Sequence, residues 1–178
     1  MTNIDLEKLK YPIGKFETPI DINATMLAEW IKAIELFPTQ VQAEVNGLSE
    51  EELDTPYRPE GWTIRQVVHH LADSHINAYT RFKLALTEDN PTVKPYMEDK
   101  WALLPEAKSA PIDASLKILE GIHQRWVATM KSMTEDQQKN TFGHPEHGRL
   151  FYLDETAGLY AWHGKHHLEH IKIAKSNL

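Results

Sequence analysis

The sequence predicts an all-α protein built as a four-helix bundle, with long proline-rich connections and one short hairpin. Four stretches of more than 20 residues repeat apolar side chains at steps of three and four, the periodicity of an amphipathic helix. No run of alternating strands and helices interrupts them, and no period of roughly 20 to 50 residues marks a solenoid. At roughly 100 to 200 residues per domain, a chain of 178 residues without a linker is expected to form one domain over residues 1–178.

The start is polar and reads as irregular, with YPIG and TPI. Over residues 24–48, Leu27, Trp30, Ile31, Ile34, Phe37, Val41, Val45 and Leu48 share one face, with Asn23 as N-cap. Pro38 is expected to kink this helix or restart it. LSEEELDTPYRPEGWT carries two prolines and Gly61, so a short turn of helix followed by an ordered loop is expected, its aromatics in need of a surface. The second long helix spans about 63–87, capped by Thr63, with Ile64, Val67, Val68, Leu71, Ala78, Tyr79, Phe82 and Leu86 inward. Residues 88–112 hold four prolines and form a long connection, of the kind that is often functional, with Trp101 and Leu104 docked on the bundle. Asp113 is expected to cap a third helix to about Met133, facing inward with Leu116, Leu119, Ile122, Trp126, Val127 and Met130. Thr134 to Gln137 reads as a capping box, and Gly148 as the turn of a small hairpin. The last helix spans about 154–175, its inner face carrying Leu159, Tyr160, His163, His167, His170, Ile171 and Ala174.

Composition narrows the function. Hydrophobic residues make up 41% and charged residues 25%, an ordinary globular balance. With 19 Lys and Arg against 26 Asp and Glu, the net charge of −7 and the lack of a basic patch argue against nucleic acid. MTNIDLEKLKYPIG lacks the apolar core of a signal peptide and no stretch suits a membrane span, so the cytoplasm is the expectation. Cysteine is absent. Disulfides, thiolate metal ligands and a cysteine nucleophile are therefore excluded, and any thiol in the chemistry must come from a substrate.

Histidine is the signal. Of ten, seven fall in two short segments: His69, His70 and His75, and His163, His166, His167 and His170. His163 and His167 are four apart, so their rings leave one helix face a turn apart and can reach one ion. His166 and His170 share that spacing, and spacing does not choose between the pairs. The third ligand should come from VVHHLADSH. There His69 projects outward, whereas His70 lies on a polar flank with Ser74, Asn77 and Arg81. His75 sits near the apolar centre and reads as a core histidine. His123, beside Trp126, reads as a core residue or one that orients a ligand. His144 and His147 read as surface residues. Asp73 could orient a ligand or act as a base, against the plainer reading of a solvated acid. Three imidazoles without cysteine leave coordination positions open, as catalytic rather than structural sites do, and suit zinc, nickel, cobalt or ferrous iron. GxGxxG, the Walker loop, HExxH and GxSxG are all absent.

The run TPYRPEGWTIRQVVHHLADSHINAY, followed by LYAWHGKHHLEHIK, resembles the DinB-like superfamily of metal-binding four-helix bundles, specifically its YfiT-like branch. YPIG, PYMEDKWALLPEAK, HQRWVATM and HPEHGRLFYLDETAGLYAWH extend the likeness over nearly the whole chain. The resemblance implies that His70, His163 and His167 hold one divalent metal per chain, zinc first and nickel next. It further implies a cytoplasmic homodimer and a metal-dependent hydrolase. Read from the residues rather than the resemblance, the substrate is expected to be a small molecule, and Asp73 and His123 are the candidate catalytic groups for the base that a bound water needs. The five Trp, with Tyr57, Trp62 and Tyr96 in loops, add modest support for a dimer. Similar proteins include S-transferases that use thiols such as bacillithiol, so a thiol S-transferase is the alternative, and a non-catalytic small-molecule-binding module the third. Tyr152 departs from the family, where a capping Thr is common, and puts the start of the last helix in question.

Overall fold

The computed structural model describes residues 3–178. The elements run α1 (Asn3–Lys10), α2 (Ala24–Val45), α3 (Glu50–Leu53), α4 (Ile64–Thr87), α5 (Glu98–Trp101), α6 (Pro105–Ser109), α7 (Asp113–Ser132), α8 (Glu135–Gln138), β1 (Thr141–His144), β2 (Arg149–Tyr152) and α9 (Leu153–Lys175). The four long helices α2, α4, α7 and α9 form the bundle, in which α2 and α4 each pack against both α7 and α9. Helices α2 and α4 thus lie on one diagonal, and the connection 46–63 has to span it.

Local chemistry sets most boundaries as expected. The Asn23 carboxamide accepts from the Met26 amide, and Thr63 and Thr134 form reciprocal capping boxes with Gln66 and Gln137. The hairpin is present, Phe142 opposite Phe151 and His144 opposite Arg149, and Gly148 supplies the positive φ of its turn.

Several expectations are corrected. The N-terminal segment is not irregular throughout, since Asn3–Lys10 is helical. Helix α2 ends at Val45 and continues through Pro38 without a restart. The backbone is already helical at Ile112, so Asp113 is the first helical residue, not the cap, and its carboxylate acts on the helix dipole instead. Trp101 and Leu104 remain 40% and 48% exposed, and Ala102 and Ala107 fill the interior in their place. Helix α9 starts one residue early. Tyr152 occupies its cap position without a side-chain acceptor, while buried Asp154 and Glu155 supply the first-turn negative charge, paired with Lys139 and Arg149.

The core divides into two apolar clusters. One gathers Ile34, Ala78, Phe82, Trp126, Met130 and Tyr160; the other gathers Phe37, Val41, Leu71, Leu119, Leu168 and Ile171. Between them each of three helices places a histidine. His75 stands between Leu71 and Ala78 on α4, His123 between Leu119 and Trp126 on α7, and His163 between Tyr160 and Leu168 on α9. A polar layer therefore crosses an otherwise apolar bundle. Such a layer persists only if its nitrogens are satisfied.

Candidate metal centre

Helix α4 is held in place by the residues around its first turn. Arg65, 2% exposed, pairs with Asp54 and Glu50 and donates to the carbonyls of Ala110 and Glu50, while Gln66 donates to the Ala102 carbonyl. These bonds clamp the long connections onto α4 and set His70, one turn along, against them. Helix α9 owes its closeness to α2 to two glycines. A Cβ on Gly158 would stand 2.9 Å from the Trp30 ring, and one on Gly164 3.0 Å from the Phe37 ring.

This packing brings His70, His163 and His167 together, with one nitrogen from each lying within 4.8 Å of the others. Nε2 of His70 is 3.3 Å from Nε2 of His163. Two nitrogens bound tetrahedrally at about 2.0–2.1 Å from one ion would stand about 3.3–3.4 Å apart. The spacing therefore fits a shared ion. Burial pushes the pKa of His70 down to about 4, helped by nearby His166 and His170, and pushes those of His163 and His167 well below the ordinary range. All three are neutral near pH 7, the form a metal requires.

Aromatic rings wall the cluster. Trp62 lies 4.7 Å from His70 between ring centroids, Tyr57 stacks on His170 at 3.9 Å and Trp162 on His166 at 4.6 Å. The loop 54–63 thus finds its surface on the histidines. The Pro56–Thr63 bridge and the Tyr57 amide to Trp62 carbonyl bond keep it ordered.

The alternative trio of His166, His167 and His170 is also compact. In it, Nε2 of His170 lies 3.1 Å from the Leu9 carbonyl and 3.3 Å from that of Lys10, and its Nδ1 faces Nδ1 of His167 at 3.3 Å. Nδ1 of His166 is buried without a partner.

The remaining histidines divide. His75 is a core residue, as expected, and it also touches the site: Nδ1 is 2.7 Å from Nε2 of His123, and Nε2 is 3.2 Å from Nδ1 of His163. His123 is buried, its Nδ1 2.6 Å from the Ile34 carbonyl. Both of its nitrogens are thus engaged. His69 is not outward but 5% exposed, because the segment joining α6 and α7 and the first turn of α7 cover it, supplying the Ala110 carbonyl and the Ser115 hydroxyl as partners. His144 is buried at the end of β1, not on the surface, whereas His147 is exposed.

Two cavities meet at His163. One of about 450 Å³ is lined by His70, His163, His167, Trp62, Glu98 and Asp99; the other, of about 600 Å³, by Ser74, Arg81, Tyr96, Glu98, His144 and Tyr160 among others. Ser74 and Arg81 thus line a cleft as expected, but Asn77 turns its amide onto the Asp73 carbonyl of its own helix. Asp73 lines neither cavity. Half-buried, it lies near Glu106 and His69, and its pKa is raised by desolvation and then by Glu106. The acids that do line both cavities, Glu98 and Asp99, were not singled out from sequence. They fall on a single helical turn inside the proline-rich connection, where no periodicity marks them.

The description of the DinB superfamily matches residues 33–171. The chain belongs to that superfamily. Among its DinB relatives, proteins from Bacillus cereus and Bacillus thuringiensis named "Putative metal-dependent hydrolase" are each 49% identical over 97% of this chain and 99% of their own. The solved structure of YfiT from Bacillus subtilis, described as a probable metal-dependent hydrolase with an unusual four-helix bundle topology, is 42% identical. It superposes with a TM-score of 0.93, covering 96% of this chain and 97% of that one. A mycothiol-dependent maleylpyruvate isomerase shares the fold at 19% identity and a TM-score of 0.60, over 79% of this chain and 60% of that one. No helix among the described residues is long and apolar enough to cross a membrane.

Proposed function

We propose that this DinB protein is a metal-dependent hydrolase whose His70, His163 and His167 hold one divalent ion, zinc in the first instance and nickel as the next candidate. The 3.3 Å approach of the His70 and His163 Nε2 atoms carries this reading. When bound, a divalent cation supplies Lewis acidity that brings the pKa of a coordinated water to about 7.

The protein's own groups then bind and move protons. Glu98 lines both cavities, and loss of water, with Asp99 and Glu146 nearby, raises its pKa. That suits a proton acceptor working closer to neutral pH, and Glu98 replaces Asp73 and His123 in this role. Ser74, Arg81 and the phenols of Tyr96 and Tyr160 offer the substrate polar contacts on the other side of His163.

One observation favours a second reading, a thiol S-transferase. The two cavities give room for a substrate and a separate thiol on either side of His163. Incubating zinc-loaded protein with a panel of esters, amides and an electrophile, with and without bacillithiol, separates the two by product mass. Water-derived cleavage products support the hydrolase; thiol adducts alone support the transferase. Tight stoichiometric binding without turnover would favour a binding module.

A homodimer is part of the same proposal. Met97, Trp101, Leu103 and Leu104 are exposed in one short segment, an apolar surface that a second copy would cover. Light scattering showing a monomer at micromolar concentration would count against it.

A further inference from the structure

We infer that both α9 histidines of the site are preset for metal binding by histidine relays anchored on backbone carbonyls, and that Pro38 makes the longer relay possible. This rests on the three-imidazole reading above.

Consider the longer relay from its buried end. In α2 the Ile34 carbonyl should accept the amide of residue 38, but Pro38 has no N–H to give. The carbonyl takes Nδ1 of His123 instead, at 2.6 Å. A carbonyl only accepts, so His123 must carry its proton on Nδ1. In a neutral ring Nε2 is then an acceptor, and its partner, Nδ1 of His75 at 2.7 Å, must donate. Nε2 of His75 becomes the acceptor in turn, so Nδ1 of His163, at 3.2 Å, must donate to it. What remains on His163 is a lone pair on Nε2, the atom that faces His70.

Each step depends on the rings being neutral and dry. His75 and His123 are 1% and 2% exposed, with the Phe37 ring 5.3 and 5.6 Å and the Trp126 ring 6.0 and 5.9 Å from them.

The shorter relay repeats the logic from independent contacts. The Leu9 and Lys10 carbonyls accept from Nε2 of His170, leaving its Nδ1 as acceptor. Nδ1 of His167 must then donate across 3.3 Å, which frees Nε2 of His167 for the site. His75, His123 and His170 are thus positioning residues. They decide which nitrogen of each ligand is bare, as a hydrogen bond to the far nitrogen does for metal-bound imidazoles generally.

Nitrogen-15 NMR of the metal-free wild type near pH 7.5 tests the tautomers directly. Protonated Nδ1 is expected on His75, His123, His163 and His167, and protonated Nε2 on His170. Protonated Nε2 on His75 or His163 overturns the longer relay, and on His167 the shorter. Zinc titrated against a chromophoric chelator tests the consequence. His123→Phe, which removes the acceptor for His75, should weaken zinc about 10- to 100-fold. His123→Gln, whose amide oxygen can replace that acceptor, should bind within a few-fold of wild type. Equal affinity in His123→Phe and wild type overturns the proposal. Should His123→Phe not fold, the wild-type spectra decide. A wild type that binds no zinc contradicts the three-imidazole reading, whatever the tautomers.

Discussion

The Phe37 ring occupies the space where a side chain on Gly164 would begin, 3.0 Å from that Cβ position, and the same ring packs against His75 and His123. Gly164 therefore links the spacing of α2 and α9 to the histidine layer. Gly164→Ala gains about 1 kcal/mol of helix propensity but overpacks the core, which typically costs about 1–3 kcal/mol. A net loss in the urea unfolding midpoint is expected, together with weaker zinc binding. Gly158→Ala, against Trp30, should lose stability but keep zinc affinity, because Trp30 does not touch those histidines. Unchanged zinc binding in a folded Gly164→Ala protein would separate the glycine from the site.

Arg65 is buried, while its partners Asp54 and Glu50 are 53% and 75% exposed. Those carboxylates regain water if the arginine is lost, so the cost of Arg65→Ala lies mainly with the Ala110 and Glu50 carbonyls and the lost packing. About 1–3 kcal/mol is expected. Faster proteolysis at 54–63, the loop that carries Tyr57 and Trp62, should accompany it. Wild-type cleavage rates and midpoint would contradict the clamp.

Acid should destabilise this protein early. His123 has its pKa lowered by burial to about 4 against an ordinary 6.5. Between those values the unfolded chain binds a proton that the folded chain refuses. The stabilisation from this group is thus complete above pH 6.5 and is lost as pH falls toward 4. Inside that window each such imidazole contributes about 1.4 kcal/mol per pH unit. His70, His166 and His170 are lowered to about 4 as well, by burial first. The metal-free urea midpoint should fall steeply from pH 7.5 to 5.5, and less steeply in His123→Phe. A flat profile would contradict neutral burial.

Much of this was legible in the sequence. The four amphipathic periods located the bundle, and Asn23, Thr63 and Thr134 marked helix starts because their capping chemistry is local. His70, His163 and His167 came from a resemblance, since i to i+4 spacing serves His166 and His170 equally well. What separates the pairs is tertiary: packing of α4 on α9 brings His70, 93 residues away in the chain, to 3.3 Å from His163 of the first pair. Pro38 was readable only as a flaw in a helix. Its use appears once α7 is beside α2, because the carbonyl it frees is taken by a residue 89 positions away. His69 was misread because a helical wheel knows nothing of the segment that folds over it.

The central claim is that His70, His163 and His167 share one ion, and metal stoichiometry tests it most directly. Wild type, the triple His→Ala variant of these three positions and His166→Ala would each be loaded with zinc, dialysed and measured by elemental analysis, with folding checked by circular dichroism. One zinc per chain is predicted in wild type and in His166→Ala, and none in the triple variant. Equal metal in wild type and the triple variant, or metal lost with His166 alone, would contradict it.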